Sequence, residues 1–290
     1  MSKNFNEILN DISHIVSKKK SFKYKLKNGL FNIYWGVTIS HNLDFKLLFI
    51  FNKIINLIKI GHNITILIAD IHTILDTNNN VNDSYTTLFI ENIENLIKSY
   101  NLSDDELSRI KLIKGSQFQL SKEYLLDLFK LISINGTIKE YCDEFDLDIN
   151  TISFTNVLHP ILQSLDEEHI KQISCNEIDC QIGYSDNIKQ YVFSKKKMVQ
   201  LGFTSKTYLL YDLPKCFITN PLYLNTTTFI PIINTLDKNV LLFIIDTLLE
   251  SFKLLNKWTE EIEKEKESLT YMSNEELCDT IIRYISVLKL

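Results

Sequence analysis

Residues 63–70 read Asn-Ile-Thr-Ile-Leu-Ile-Ala-Asp, a largely apolar run that ends in a carboxylate. Such a run predicts a strand buried on both faces, as in the interior of a parallel sheet. Directly before it, residues 45–60 carry leucine, isoleucine and phenylalanine at helical spacing and stop at Gly61, a typical C-terminal end of a helix. A helix that leads into a buried strand indicates an α/β fold.

The alternation of helices and strands continues on both sides of this run. Upstream, residues 31–35 (Phe-Asn-Ile-Tyr-Trp) have the β-branched and aromatic content of a short strand that ends at Gly36. Downstream, the pattern predicts a helix over residues 82–100, a strand over 110–113 and a helix that opens at Ser121. This order is typical of a doubly wound α/β sheet, and we expect five mostly parallel strands.

The pattern changes after Pro221, where helices are predicted over residues 239–257, 259–268 and 275–288. A further helix is predicted at the start of the chain, over residues 5–16. We therefore expect three parts: a helical and basic N-terminal extension (1–30), an α/β domain (31–214) and an all-helical C-terminal region (221–290).

Composition places the chain among globular proteins, because 45% of its 290 residues are hydrophobic and only 7 are glycine and 4 proline. No apolar run approaches the ~20 residues of a membrane span, and residues 1–9 do not resemble a secretory signal. We expect no membrane partner and a cytoplasmic location. The five cysteines are odd in number and form no CxxC motif, so neither a disulfide framework nor a metal site is expected.

The charge distribution argues against nucleic-acid binding. The net charge is −5, and only two of the 31 basic residues are arginine. The basic run at residues 18–27 is interpreted as a solvated face. The C-terminal region is rich in glutamate, whereas affinity for RNA depends on cationic contacts with phosphate. We therefore prefer a packing or dimerisation role for this region, with a residual anticodon domain as the alternative.

Five sequence blocks together resemble tyrosyl-tRNA synthetases of the eukaryotic and archaeal type. They are residues 31–36, 66–76 (Ile-Leu-Ile-Ala-Asp-Ile-His, then Leu75 and Asp76), 112–124, 158–166 and 179–186. The blocks follow the order and near spacing of the family from Phe22 to Leu213. The resemblance implies a class I, Rossmann-like catalytic sheet followed by a helical anticodon-binding domain.

The resemblance also implies a pocket for tyrosine. The matching positions are Tyr34 and Asp166 for the phenol hydroxyl, Leu67, Ala69 and His72 for the ring, and Gln163, Gln181 and His159 for the ammonium group. His159 departs from the family, which has tyrosine there, and a protonated imidazole would repel the ammonium. Each position has an ordinary alternative: Tyr34 as a core aromatic, Asp166 on a solvated helix face, and His72 as a core histidine.

The first ATP-binding motif of the family is degraded in this sequence. This motif lies at a helix N-terminus, where the dipole and backbone N–H groups favour phosphate. It falls here on Asp44, Phe45, Lys46 and Leu47. Asp44 puts an anion where the triphosphate should lie, and Lys46 puts a long chain where adenine needs a small residue. A shifted alignment in which His41 partly replaces the lost imidazole is the alternative that we do not favour.

The second ATP element, a lysine- and serine-rich loop, should follow Pro214. Residues 215–221 (Lys-Cys-Phe-Ile-Thr-Asn-Pro) do not match it, and residues 195–198 (Lys-Lys-Lys-Met) lie too early and are interpreted as a solvated helix face. Nucleotide-binding positions that match are Gly36, Gly183 and Asp186, whereas Tyr184 replaces a family glycine.

These departures predict a tyrosyl-tRNA synthetase-like pseudoenzyme that forms no adenylate, uses no cofactor and keeps a binding role. The expected ligand is tyrosine or a tyrosine-like group, with an RNA or protein partner as alternatives. Two other functions stay open: an active tyrosine–tRNA ligase that binds ATP through atypical motifs, and a structural interaction module. The resemblance also implies a homodimer.

Overall fold

A computed structural model describes residues 11–16, 29–39, 44–77, 83–214, 217, 233 and 235–288. The basic run at 18–27, His41 and nearly all of the stretch at 215–221 lie outside these residues.

One sheet of six strands forms the centre of the molecule, in the order β1-β6-β5-β2-β3-β4. The strands are β1 (His14–Val16), β2 (Asn32–Val37), β3 (Asn63–Ile68), β4 (Ile110–Lys114), β5 (Cys180–Tyr184) and β6 (Thr207–Tyr211). Strands β2 to β6 are parallel, as predicted. The strand order reverses beside β2, and parallel sheets bind ligands at the carboxyl ends of the strands at such a switch point.

The first strand corrects the end of the helix predicted over residues 5–16, of which residues 5–10 lie outside the described part of the chain. Within the described residues, His14–Val16 pairs antiparallel with β6, with Ile15 opposite Leu209. The backbone N–H of Ser13 adds a hydrogen bond of 2.9 Å to the carbonyl of Leu210. The hydrogen-bond partners of this strand come from the edge of β6, far along the chain. The spacing of apolar residues within so short a stretch does not indicate such a pairing. Within the described part of the chain, the sheet therefore has six strands rather than the predicted five.

Helices cover both faces of the sheet. They are α1 (Phe45–Lys59), α2 (Asp70–Thr77), α3 (Asp83–Ser99), α4 (Asp104–Ser108), α5 (Lys122–Ser133), α6 (Ile138–Phe145), α7 (Phe154–His169), α8 (Lys171–Ser174), α9 (Ile188–Gln200), α10 (Lys238–Leu254), α11 (Glu260–Lys266) and α12 (Asn274–Leu288). The predicted end at Gly61 is confirmed, since its φ of 102° is left-handed. Ser121 caps α5 by accepting a hydrogen bond from the N–H of Tyr124, also as predicted.

Alternation along the central strands sends neighbouring residues into two separate cores. Ile33 and Trp35 of β2 belong to the core that α1, α3, α10 and α12 cover. Tyr34 of β2 and Leu67 of β3 belong to the other core, with α5, α7 and α9. Side chains alternate along a strand, so burial of Ile33 and Trp35 in the first core places Tyr34 on the opposite face, in the second core.

The C-terminal helices pack on the first core through α1. Asn52 of α1 donates hydrogen bonds to the carbonyl of Thr247 (3.0 Å) and the hydroxyl of Ser251 (2.9 Å) in α10. The ammonium of Lys53 lies 2.8 Å from the carboxylate of Glu250, and both side chains are largely buried. These polar contacts fix α10 against α1 at one register.

Candidate functional site

A cavity of about 260 Å3 lies at the switch point, where the carboxyl ends of β2 and β5 meet the N-terminus of α1. Small-molecule pockets begin at about this size. The structure brings all of the residues predicted for tyrosine to its lining: Tyr34, Leu67, Ala69, His72, His159, Gln163, Asp166 and Gln181. It also brings Gly36, Gly183, Asp44, Lys46 and Leu47 to the same lining.

Regular secondary structure positions these side chains. Gln181 of β5 lies directly opposite Tyr34 of β2 in the parallel ladder. His159, Gln163 and Asp166 follow one another along α7 at spacings of four and three residues, which places them on one face of the helix. Strands β2, β3 and β5 together with α7 therefore form the walls of the cavity.

Asp166 is fully buried, which excludes the alternative of a solvated helix face. Its Oδ2 lies 2.8 Å from Nε2 of His72, which donates to it. Its Oδ1 accepts hydrogen bonds from the amide of Gln119 (2.7 Å) and the hydroxyl of Tyr124 (2.9 Å). A carboxylate offers about four lone-pair sites, so a further donor from a ligand can still be accommodated.

Two tyrosine hydroxyls near Asp166 are kept protonated. Burial, followed by the negative charge of Asp166, raises the pKa of Tyr34 well above its ordinary value. The same two causes raise the pKa of Tyr124. Both phenols therefore stay neutral hydrogen-bond donors across the physiological range.

Two histidines line the cavity next to Asp166. The ring centroids of His72 and His159 lie 4.6 Å apart at an interplanar angle of 63°. His72 is buried, and its Nδ1 has no hydrogen-bond partner among the described residues. His72 is thus a core histidine and a cavity residue at once, since its Nε2 holds Asp166 while its ring faces the ligand space.

Both glycines of the cavity make room for tyrosine hydroxyls. A Cβ on Gly36 would lie 2.9 Å from the hydroxyl oxygen of Tyr34. A Cβ on Gly183 would lie 1.8 Å from the hydroxyl oxygen of Tyr191, which also lines the cavity. These glycines, predicted to admit a nucleotide, have a local steric reason that involves the protein's own side chains.

The end of the cavity next to α1 already carries an anion. Asp44 caps this helix, and its Oδ1 accepts a hydrogen bond of 2.8 Å from the N–H of Leu47. Burial raises the pKa of Asp44, although the Leu47 amide and Lys46 act in the opposite direction. Beside it, the hydroxyl of Tyr184 donates a 3.0 Å hydrogen bond to the carbonyl of Lys46. A helix N-terminus that attracts phosphate in other proteins is here occupied by a side-chain carboxylate.

Two residues of the degraded motifs lie away from the cavity lining. Phe45 is fully buried in the first core and stacks on Phe217, with ring centroids 5.0 Å apart. Asp186 lies in a 3-10 turn (Ser185–Asn187), and its neighbour Asn187 lines the cavity instead. The sequence interpretation of residues 195–198 also needs correction, because Lys197 and Met198 are buried rather than solvated.

Gln119, Tyr124 and Tyr191 are site residues that the sequence analysis missed. Gln119 and Tyr124 lie in the block at residues 112–124 that carries the family resemblance, which was a signal for their role. Nothing in that block indicated that they contact Asp166. Across the parts of the chain that the structure describes, no cluster of three or more histidine, cysteine, aspartate and glutamate side chains is arranged to hold a metal ion. The same residues contain no helix that is long and apolar enough to cross a bilayer.

Comparison with known proteins identifies the family. A family model described as tRNA synthetases class I (W and Y) matches residues 26–228. The chain belongs to this family. The cytoplasmic tyrosine–tRNA ligase of Xenopus tropicalis is 29% identical over 208 residues, which are 70% of this chain and 38% of that protein. The probable cytoplasmic tyrosine–tRNA ligase of Encephalitozoon cuniculi is 28% identical over 222 residues, 72% of this chain and 59% of that protein.

The fold of this synthetase-family chain also matches solved structures. Tyrosyl-tRNA synthetase from Archaeoglobus fulgidus, crystallised with L-tyrosine, superposes with a TM-score of 0.71 at 17% identity, over 99% of this chain and 98% of that one. The chain is therefore a divergent homologue of tyrosyl-tRNA synthetases with the class I fold, although it spans only 38% of the length of the frog relative.

A buried carboxyl behind the site gives a prediction about pH. Glu167 is fully buried and accepts hydrogen bonds from the hydroxyl of Tyr208 (2.8 and 3.1 Å). Burial raises the pKa of Glu167 from 4.5 to about 8, although Tyr208 and Lys206 oppose the shift. The folded protein then holds a proton that the unfolded chain releases at lower pH, so stability falls as the pH rises through this interval.

We expect Glu167→Gln to remove this loss, because glutamine has the same shape and does not ionise. Urea unfolding between pH 5 and pH 8.5 should show the free energy of unfolding of the wild type falling relative to that of the variant. Parallel curves for the two proteins would contradict the prediction. Asp143→Asn, at an exposed position on α6, is the control for a generic change of charge.

Proposed function

We propose that the chain is a pseudoenzyme of the tyrosyl-tRNA synthetase fold, which binds tyrosine or a tyrosine-like ligand and forms no adenylate. The observation that carries the proposal is the carboxylate of Asp44 at the N-terminus of α1, hydrogen-bonded to the N–H of Leu47. A triphosphate at this place would meet a negative charge and would lose a backbone donor.

The rest of the cavity end adds to this argument. Tyr184 fills space beside Gly183 and is fastened to the backbone of Lys46. Preorganised donors of the kind that class I motifs supply are worth roughly 2.7–4 kcal/mol each in catalysis. Loss of several such contacts would leave little activation chemistry, and ATP would be a cofactor only if activity persists through atypical residues.

The tyrosine end of the cavity supports retained binding. Leu67 and Ala69 supply apolar walls, and Asp166 lies at the same end with capacity for another donor. Gln163 and Gln181 supply amide oxygens that suit an ammonium group. We place the protein in the cytoplasm, as the names of its relatives suggest. The proposal does not include tRNA, because α11 opens with three glutamates, which disfavour contact with phosphate.

Tyrosine-dependent pyrophosphate exchange tests the loss of catalysis. We expect no exchange above background from the purified protein at millimolar ATP and tyrosine. Robust exchange that disappears in Asp166→Ala would instead establish an active tyrosine–tRNA ligase. An active family member assayed in parallel confirms that the conditions support the reaction.

Ligand-induced stabilisation tests the binding role. We expect millimolar tyrosine to raise the melting temperature, because a ligand that binds only the folded state stabilises it by mass action. Phenylalanine should raise it much less, since it leaves the buried polar groups near Asp166 without the hydroxyl. Equal shifts with both amino acids would contradict a hydroxyl-specific pocket, and no shift with either would favour the interaction-module function.

An exposed apolar face supports homodimer formation as a second role. Leu126 and Phe129 of α5 are 49% and 64% exposed, and Phe154 at the start of α7 is 87% exposed. Leu126 and Phe129 are three residues apart and share one face of α5, and exposed apolar patches mark interaction sites in soluble proteins. A second copy of the chain is the partner that we propose for this face.

We expect Phe129→Glu to convert the dimer into a monomer in sedimentation equilibrium, because a charge would be buried without a partner. Tyr271→Glu replaces an even more exposed aromatic residue outside this face (88% against 64%) and should leave the dimer unchanged. A wild-type protein that sediments as a monomer at high micromolar concentration would exclude this role.

A further inference from the structure

The charges around the cavity are unevenly distributed. Among the described residues that line it, one side chain, that of Lys46, carries a permanent positive charge. Lys46 lies in the first turn of α1, at the end of the cavity that Asp44 and Tyr184 also line. The side chain is 31% exposed, so its ammonium group is neither buried in the core nor fully in solvent.

The backbone of Lys46 is held in place by two contacts. Its backbone carbonyl accepts the hydrogen bond from Tyr184, and its helix is capped by Asp44. Its Nζ lies 4.0 Å from Oδ2 of Asp44, which is beyond hydrogen-bond distance. Asp44 uses its other oxygen to accept from Leu47. Asp44 therefore takes up none of the N–H donors of Lys46.

A free amino acid in this cavity needs a partner for its carboxylate. The amide groups of Gln163 and Gln181 and the buried Asp166 suit a hydroxyl and an ammonium group, but none of them provides a positive charge. A carboxylate removed from water without such a partner is strongly disfavoured. Lys46 is the group in the lining whose chemistry meets this need.

We propose that Nζ of Lys46 binds the α-carboxylate of a free aromatic amino acid, an inference that rests on the proposed tyrosine-binding function. The cavity then selects the zwitterion over an amine or an ester that carries the same aromatic side chain. The lysine would thereby make the cavity a receptor for the free amino acid in its zwitterionic form.

The acidic groups nearby define the opposing outcome. Asp44 and Asp186 both lie close enough to Lys46 for its charge to lower their pKa values, against the larger effect of burial. If these two carboxylates outweighed Lys46, the cavity would prefer a cationic amine such as tyramine to tyrosine. The relative affinities of tyrosine and tyramine therefore decide whether this end of the cavity acts on a ligand as a positive or as a negative site.

Calorimetric titration at pH 7.5 with tyrosine, tyramine and tyrosine methyl ester tests the proposal. We expect the wild type to bind tyrosine about 10-fold or more tightly than tyramine or the ester, the size of one charge-assisted hydrogen bond. Lys46→Met should weaken tyrosine binding by a similar factor and leave tyramine within about twofold. Lys46→Arg should keep the preference for tyrosine. Lys98→Met, an exposed lysine on α3 away from the cavity, is the matched control and should change nothing.

The results separate failure of this inference from failure of the proposed function. Equal affinities of the wild type for tyrosine and tyramine, or equal loss of both ligands in Lys46→Met, would overturn the role of Lys46 while tyrosine binding stands. A preference for tyramine would overturn it in favour of Asp44 and Asp186. Absence of binding by all three ligands, with a cooperative melting transition showing that the wild type is folded, would overturn the proposed function itself.

Discussion

The fully buried carboxylate of Asp166 constrains the whole ligand-binding half of the molecule. A charge in the interior is tolerated only where donors surround it, and here they come from three separate parts of the chain. His72 comes from α2, Gln119 from the segment before α5, and Tyr124 from α5 itself. Each of these elements must therefore sit within hydrogen-bond distance of α7. The same requirement shapes the wall of the cavity, because His72 lines it directly.

The sheet meets this constraint through its alternation and its glycines. Burial of Ile33 and Trp35 on one face leaves Tyr34 on the other, toward Asp166. The phenol of Tyr34 then runs along its own strand, and only the absence of a side chain at Gly36 permits that path. Gly183 of the neighbouring strand β5 likewise leaves room for the hydroxyl of Tyr191, which comes from helix α9. On each of the two central strands, β2 and β5, the missing side chain of a glycine thus makes room for a tyrosine hydroxyl in the cavity wall.

The sequence was a sound guide where a pattern is local or where several blocks occur in order. The buried run at 63–70 predicted a central parallel strand, since no partner is needed to recognise it. Strand β1 was missed because three residues become a strand only when the edge of β6 is present. The resemblance located the cavity residues, but it placed Phe45 together with Asp44, Lys46 and Leu47 in the degraded ATP-binding motif. Successive helical residues point about 100° apart, so Phe45 enters the opposite core while Asp44 and Lys46 line the cavity. The donors to Asp166 were not predicted, because sequence separations of more than 40 residues carry no periodic signal.

Helix α1 has a mechanical consequence for the molecule. Lys46 lies at its cavity end, and Asn52, six residues along, is hydrogen-bonded to α10, about 9 Å away at 1.5 Å per residue. A close-packed α-helix transmits displacement along its axis rather than absorbing it. Helix α1 therefore connects the C-terminal helices to the end of the cavity that Asp44 and Lys46 line. A partner that tilts α10 would therefore act on α1, and through it on the end of the cavity that Asp44 and Lys46 line.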